Sequence, residues 1–239
     1  MSEDKGLPVT GNRLLASLPE NEFRTVIFPY LEPVELRQGE VIYAPRQVID
    51  YAYFPVTALL SLIVSSENGD TVEAGVYGNE AMAGYSLLLE RNISPYQVEV
   101  QIGGSAFRVR AEVMKDLCSK APALQMHLLR YVHTGVVQLA QMSICNRFHS
   151  VRQRLSRCLL TAHDRIDSDQ IPLTREILAG MIGARRPRVS IVVGSLSTAG
   201  LIRVRRGTIT IINRKGLEAA SCECYRVIRD EVDTLLKIE

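Results

Sequence analysis

The sequence holds no apolar run near the roughly 18 residues that a membrane-spanning helix requires, and no signal-peptide pattern. A protein working in the cytoplasm, without a membrane partner, is expected. Enzyme signatures are missing as well. There is no P-loop, no GxGxxG, no Ser-His-Asp arrangement and no metal-ligand motif, so no enzyme is expected. Cysteine is sparse, and Cys118, Cys145, Cys158, Cys222 and Cys224 lack zinc-finger spacing. On a helix, Cys222 and Cys224 would project roughly 200° apart, a poor pair for a metal or a disulfide. Reduced, packed thiols are expected, with Cys145 the candidate for redox control. His127 and His133 do not share a helical face and give no haem signature.

What is present is an uneven charge. The formal net charge is only +2, but residues 147–215 carry 14 Lys/Arg against 4 Asp/Glu. Residues 1–146 carry 11 against 16, and residues 216–239 carry 3 against 6. Basic charge confined to one region is the footprint of a polyanion partner. A chain of 239 residues is long enough for two domains with cores of their own.

The basic region is organised around Pro172–Asn213. Thr174 stands at a helix N-cap position, and Ile177, Leu178, Met181 and Ile182 follow on one face. Gly183 interrupts the pattern as a tight turn between two helices requires. A second helix restarts near Arg185 with Pro187 in its first turn, and Val189, Val192, Val193 and Leu196 form its inward stripe. Two β-branched runs, Leu201–Val204 and Thr208–Ile212, meet at Arg206-Gly207 like a hairpin. Helix, glycine turn, helix and hairpin make a winged helix-turn-helix. Arg185, Arg186, Arg188 and Ser190 sit at the end of the second helix that enters the major groove in such folds. Arginine suits that place because its planar fork can bond guanine O6 and N7 together. Arg203, Arg205 and Arg206 on the hairpin fall along the phosphates. With Thr174, the set Arg185, Arg186, Arg188, Ser190, Arg205 and Arg206 is the expected DNA contact. The alternative is an effector-gated protein whose winged helix docks on another protein.

Upstream, the pattern predicts a helix from Arg13 to about Tyr30, after a polar lead over Met1–Gly11. Short β-type runs then cover Val34–Leu36, Val41–Ala44, Tyr51–Pro55, Ala58–Ser65, Thr71–Val76, Val98–Ile102 and Ser105–Arg110. Such spacing implies a sandwich or barrel. Asn68-Gly69 signals a type I′ hairpin, and Glu80–Glu90 reads as a helical interruption. A long helix begins near Glu112 and restarts after Pro122. Leu124, Leu128, Tyr131, Gly135, Gln138, Met142 and Cys145 trace a coiled-coil-like seam along it. A second stripe, Leu129, Val132, Val136 and Leu139, is expected to pack on the β region. Residues 217–239 predict a terminal helix with Val227, Ile228, Val232, Leu235 and Leu236 on its apolar face.

Taken together, the chain resembles the CRP/FNR family of transcription regulators over nearly its whole length. The match is carried by Gln38-Gly39-Glu40, Gly78-Asn79-Glu80, the run from Asn146-Arg147 to Arg154-Leu155, and Leu173–Ile212. The resemblance implies an α+β fold: an N-terminal double-stranded β-helix or jelly roll of the cyclic-nucleotide-binding kind, a long dimerisation helix and a C-terminal winged helix-turn-helix. The corresponding boundaries are 1–120, 121–147, 148–216 and, for the final helix, 217–239. It further implies a homodimer on a near-palindromic double-stranded DNA operator, with RNA polymerase as a further partner.

Departures from the family are informative. Members that bind cyclic AMP carry an Arg-Ser or Arg-Thr pair for the phosphate, whereas the matching stretch here reads Asn92-Ile93-Ser94-Pro95-Tyr96. Gly78, Asn79, Glu80 and Ser94 remain as an effector-pocket set, but no arginine stands where the phosphate needs one. A cyclic nucleotide is therefore disfavoured as cofactor. Iron–sulfur members cluster cysteines near the amino terminus, which this chain does not. Many members carry a second base-reading arginine where this chain has Ile191, a residue suited to a thymine methyl. Arg186 and Arg188 become the expected base readers, with Arg185 on phosphate.

Overall fold

Apolar–polar alternation over residues 32–110 condenses into seven strands, β1 (Glu32–Leu36), β2 (Val41–Tyr43), β3 (Tyr51–Pro55), β4 (Leu59–Ser65), β5 (Thr71–Tyr77), β6 (Gln97–Ile102) and β7 (Gly104–Arg110). The computed structural model describes residues 11–166 and 168–236, so the polar lead lies outside the described residues except for Gly11. The strands form two antiparallel sheets in the orders β1-β7-β3 and β2-β6-β4-β5. Leu36, Tyr43, Phe54, Leu60, Val98, Val100 and Val109 fill one core shared by both. The chain changes sheet at Gly103-Gly104, where a side chain on Gly104 would run into Thr57 and the Ala58 backbone.

Several local expectations are corrected. The helix expected over residues 13–30 breaks into α1 (Arg13–Ala16), α2 (Glu20–Glu22), a π turn Phe23–Ile27 and a 3-10 turn Phe28–Tyr30. Pro19 and Pro29 lack the N–H that a continuous helix needs. The turn at Asn68-Gly69 is not type I′. Ser66 N donates to Asp70 O (2.8 Å) and Gly69 N to Ser66 O (3.0 Å), with Gly69 alone left-handed (φ 86°), a three-residue loop with a glycine bulge. The helix expected over 80–90 shrinks to a 3-10 turn, Tyr85–Leu89, because Ala83 bridges to Tyr53 and Gly84 turns left-handed.

Next come α3 (Ala111–Lys120) and α4 (Pro122–Phe148), separated by Ala121 and restarted by Pro122 at the first turn. The two stripes of α4 are exchanged relative to expectation. Leu124, Leu128, Tyr131, Met142 and Cys145 are buried within their own chain, whereas Leu129 (46% exposed), Val136 (59%) and Leu139 (38%) face outward. Gly135 and Gln138, which looked like flaws in a seam, instead fit the sheet. The Gln138 amide packs beside Gly75 of β5.

The remainder is α5 (Val151–His163), β8 (Gln170–Ile171), α6 (Arg175–Ile182), α7 (Arg186–Thr198), β9 (Ile202–Arg205), β10 (Thr208–Ile211), α8 (Arg214–Ala220) and α9 (Glu223–Leu236). A Ser150–Gln153 capping box starts α5. Arg214 Nη2 donates to Asp164 Oδ1 (2.6 Å), and Tyr225 Oη donates to Asp164 Oδ2 (2.8 Å), tying α5, α8 and α9 together. The apolar face of α9, including Ile228, Val232 and Leu235, is buried. Cys222 precedes this helix, so the helical projection of Cys222 against Cys224 does not hold. Both sulfurs cluster with Cys145, which is buried inside the chain and not in an outward seam.

The β-domain and the C-terminal helices also share a core, since Leu59, Val76 and Ile102 pack with Val151, Leu155, Leu178 and Met181. A buried ion pair spans the same junction: Arg165 Nε donates to Glu80 Oε1 at 2.7 Å. Removing one partner would strand a charge out of water. Arg165→Met is expected to lower stability by about 3–5 kcal/mol, while Glu80→Met with Arg165→Met recovers much of the loss, as read by urea unfolding.

Candidate nucleic-acid interface

Short-range rules build the helix-turn-helix. Thr174 Oγ1 accepts from Ile177 N (3.3 Å) and caps α6. Gly183 ends α6 in the left-handed region (φ 58°), and Ala184 N reaches back to Ala179 O (3.0 Å), a Schellman closure. Arg154 Nη1 donates to Ile182 O (2.7 Å), so α5 satisfies another carbonyl at that end. The next helix, α7, starts with Arg185 as N-cap and Pro187 in its first turn. Val189, Val193 and Leu196 are fully buried, and this fixes the rotation of α7 about its axis.

That rotation turns Arg185, Arg186, Arg188 and Ile191 to solvent, with Ile191 72% exposed, while Ser190 is half-buried. Arg186 Nε approaches Glu176 Oε2 at 3.3 Å, but both side chains are well exposed. Such a pair adds little stability and leaves the guanidinium available. The hairpin turn has Arg206 (φ 47°) and Gly207 (φ 81°) both left-handed between paired Arg205 and Thr208, a type I′ geometry. Arg203, Arg205 and Arg206 are exposed on it. Thr174 lies beside this turn, its methyl close to Gly207. The expected contact residues therefore gather on one helix face and one hairpin tip. Arg152 escaped the sequence reading: its Nη1 donates to Ser195 Oγ on α7 (2.8 Å), a contact between helices that no local pattern announces.

The set Gly78, Asn79, Glu80 and Ser94 is placed differently. Glu80 is buried against Arg165, whose side chain also covers Gly78. Ser94 Oγ donates to Tyr96 O (2.7 Å). Glu80 Oε1 and the Ser94 hydroxyl are thus engaged within the protein, whereas Glu80 Oε2 and Asn79 Oδ1 are buried without a hydrogen-bond partner.

Comparison with known proteins matches these features. Residues 153–220 match the Crp-like helix-turn-helix domain. The chain is 26% identical over 202 residues to the transcriptional regulator SdrP of Thermus thermophilus, covering 78% of this chain and 93% of that protein. The chain thus carries a Crp-like helix-turn-helix domain and is similar to CRP/FNR-type transcriptional regulators. Solved structures agree on the fold. FixK2 from Bradyrhizobium japonicum superposes with a TM-score of 0.69 at 16% identity, over 80% of this chain and 98% of that one. A putative crp/fnr regulator from Eubacterium rectale gives 0.64 at 16% identity, over 90% and 97%.

The helix-turn-helix rests on the β4–β5 hairpin. Gly180 and Met181 of α6 share a crevice with Ser61, Glu73 and Glu99. Glu73 is buried and accepts a short hydrogen bond from Ser61 Oγ. Burial pushes its carboxyl up to about 7, against the opposing pull of the Ser61 hydroxyl and of Arg157 and Arg165. The folded protein therefore holds this proton more tightly than the unfolded chain. Its contribution is fully present below the ordinary value of 4.5 and is lost as pH rises through about 7. Unfolding free energy is expected to decline over that window, and Glu73→Gln should flatten the decline in urea titrations at stepped pH.

Proposed function

We propose that this regulator acts as a cytoplasmic homodimer that reads a near-palindromic DNA operator through α7, with RNA polymerase as a further partner. The observation carrying this reading is the exposed face of α7, where Arg185, Arg186, Arg188 and Ile191 are held by a helix whose opposite face is locked in the core. Arg186 and Arg188 are assigned to base edges and Arg185 to phosphate, with Thr174, Ser190, Arg205 and Arg206 completing the contact. Residues 1–120 serve as the sensor domain, 121–147 as the dimerisation helix and 148–216 as the DNA-binding domain, followed by the C-terminal helix 217–239.

The dimer reading rests on the outward stripe of α4. Leu129, Val132, Val136 and Leu139 repeat at spacings of three and four, the a/d pattern of a two-helix seam. Pairing two such helices would set the two copies of α7 about one DNA turn, roughly 34 Å, apart.

The β-domain is read as binding no cyclic nucleotide in the usual manner. The cleft between β4–β5 and α4 is lined by Leu62, Tyr77, Tyr85, Tyr131 and Val136 and offers no cation among its lining residues for a phosphate. Gly78, Asn79, Glu80 and Ser94 are left as the place to look for an effector contact.

Two measurements test the reading. Anisotropy titrations with DNA from the region upstream of the gene should show strongly salt-dependent affinity. Arg186→Ala or Arg188→Ala should cost about 1–3 kcal/mol and relax one base position, whereas Arg205→Ala weakens all sequences alike. Equal binding by all three variants would leave the protein-docking alternative standing. Separately, Val136→Glu should convert a dimer to a monomer in sedimentation experiments without lowering the unfolding midpoint of the monomer.

A further inference from the structure

Outside the DNA face, the densest cluster of metal-binding side chains lies where the end of α4 meets the start of α9. Cys145 in the last turn of α4 and His149 at its C-cap are one helical turn apart. Cys222 and Cys224 come from the approach to α9 and its first turn. Cys145 Sγ is 3.6 Å from Cys222 Sγ, and Cys224 Sγ is 3.6 Å from His149 Nδ1. The four ligand atoms all fall within 4.8 Å of one another. Ligands bound at about 2.3 Å (sulfur) and 2.0 Å (nitrogen) to one tetrahedral ion sit roughly 3.5–3.8 Å apart. The Cys145–Cys222 and Cys224–His149 distances already match, and a shift of about an ångström would bring the remaining atoms into the same shell. An iron–sulfur cluster, with its own iron and sulfide atoms between the thiolates, would hold the sulfurs further apart.

We propose that Cys145, His149, Cys222 and Cys224 bind one zinc(II) ion in a closed Cys3His site. Two independent features around the four residues support this. First, His149 is only 11% exposed and turns its other ring nitrogen, Nε2, to Glu223 Oε1 at 3.1 Å. A carboxylate on the far nitrogen fixes the tautomer that leaves Nδ1 free to ligate. Second, Arg157 is buried beside Cys145, and its Nε and Nη2 have no hydrogen-bond partner. Three thiolates, a neutral imidazole and Zn(II) carry one net negative charge, which a single guanidinium balances. Packed neutral thiols would leave that buried cation only the more weakly ionised carboxyl of Glu73, which burial pushes up to about 7, among the acids acting on it. Thiolate and imidazole ligands with no open position favour zinc over hard cations. Binding releases to solvent the protons of those thiols that were not already ionised.

The ion would fasten α9, and through Arg214, Asp164 and Tyr225 the helices α5 and α8, to the end of α4. It would then set the orientation of the winged helix relative to the long helix. That consequence rests on the DNA-binding reading above; the zinc assignment itself does not.

The test uses the full chain purified without an affinity tag. Elemental analysis should give about one zinc per chain, and cobalt(II) added to the stripped, reduced protein should produce the intense visible bands of a tetrahedral thiolate site. Cys222→Ser and Cys224→Ser should lose most of the zinc, whereas Cys118→Ser, at a buried thiol elsewhere, keeps it. Because a ligand variant could fail to fold, His149→Cys provides a second probe. It should retain the metal and shift the cobalt charge-transfer bands. Wild-type protein without zinc that gives no cobalt spectrum would overturn the proposal. So would zinc content unchanged in Cys224→Ser, or the absorption of an iron–sulfur cluster. DNA affinity is measured apart from metal content, so a failure of the operator reading leaves the metal result intact, and the reverse also holds.

Discussion

One rod, α4, is gripped at both ends by its own chain, and the arrangement of everything else follows from that. Its first half buries Leu124, Leu128 and Tyr131 in the β-domain core. Its last turns bury Met142 and Cys145, the latter against the start of α9. Each large apolar side chain so buried contributes about 1.5–3 kcal/mol, and the helix has little propensity-driven stability to substitute for it. Once one stripe is committed inward, helical geometry forces Leu129, Val136 and Leu139 outward at coiled-coil spacing. The same contact that holds the monomer together therefore also exposes the stripe proposed above as the dimer contact.

The junction beside this rod couples the two halves more tightly than a linker would. Leu59, Val76 and Ile102 of the sheets enter the core of the helix-turn-helix. Arg165 and Glu80 form an ion pair out of water across the boundary. Glu73 keeps a buried carboxyl directly beneath α6. Apolar contact, a paired charge and a protonatable group thus meet at one seam. Any shift of the β4–β5 hairpin would be felt at α6, and through the Gly183 turn at the arginines of α7. Packed interiors pass displacement on because they hold few voids to absorb it.

Much of this was open to inspection in the residue order. The seven strands fall within a residue or two of the alternating runs. Thr174, Gly183, Pro187 and Arg206-Gly207 occupy the cap, turn, first-turn and hairpin positions that their types suggested. Each of these is a local decision, set by which N–H groups need a partner, which residue tolerates φ > 0 and which face repeats every 3.6 residues. The exposed arginine face follows from the same arithmetic, since Val189 and Val193 leave it nowhere else to point. Short helices were less readable. Residues 13–30 have helical periodicity, but two prolines and a buried π turn divide them.

The residue order alone determined the classes of element, the turns between them and the concentration of positive charge on one helix tip and one hairpin. These depend on interactions spanning a few residues. Only the tertiary structure decided which stripe of α4 is buried, that Glu80 pairs with Arg165 across the junction, and that Cys145, His149, Cys222 and Cys224 converge. Periodicity reports that a helix has two apolar faces but not what lies opposite each. Ligands separated by 77 positions, as Cys145 and Cys222 are, meet only because two helices happen to cross there. Loop closure over such a length leaves no trace in local composition.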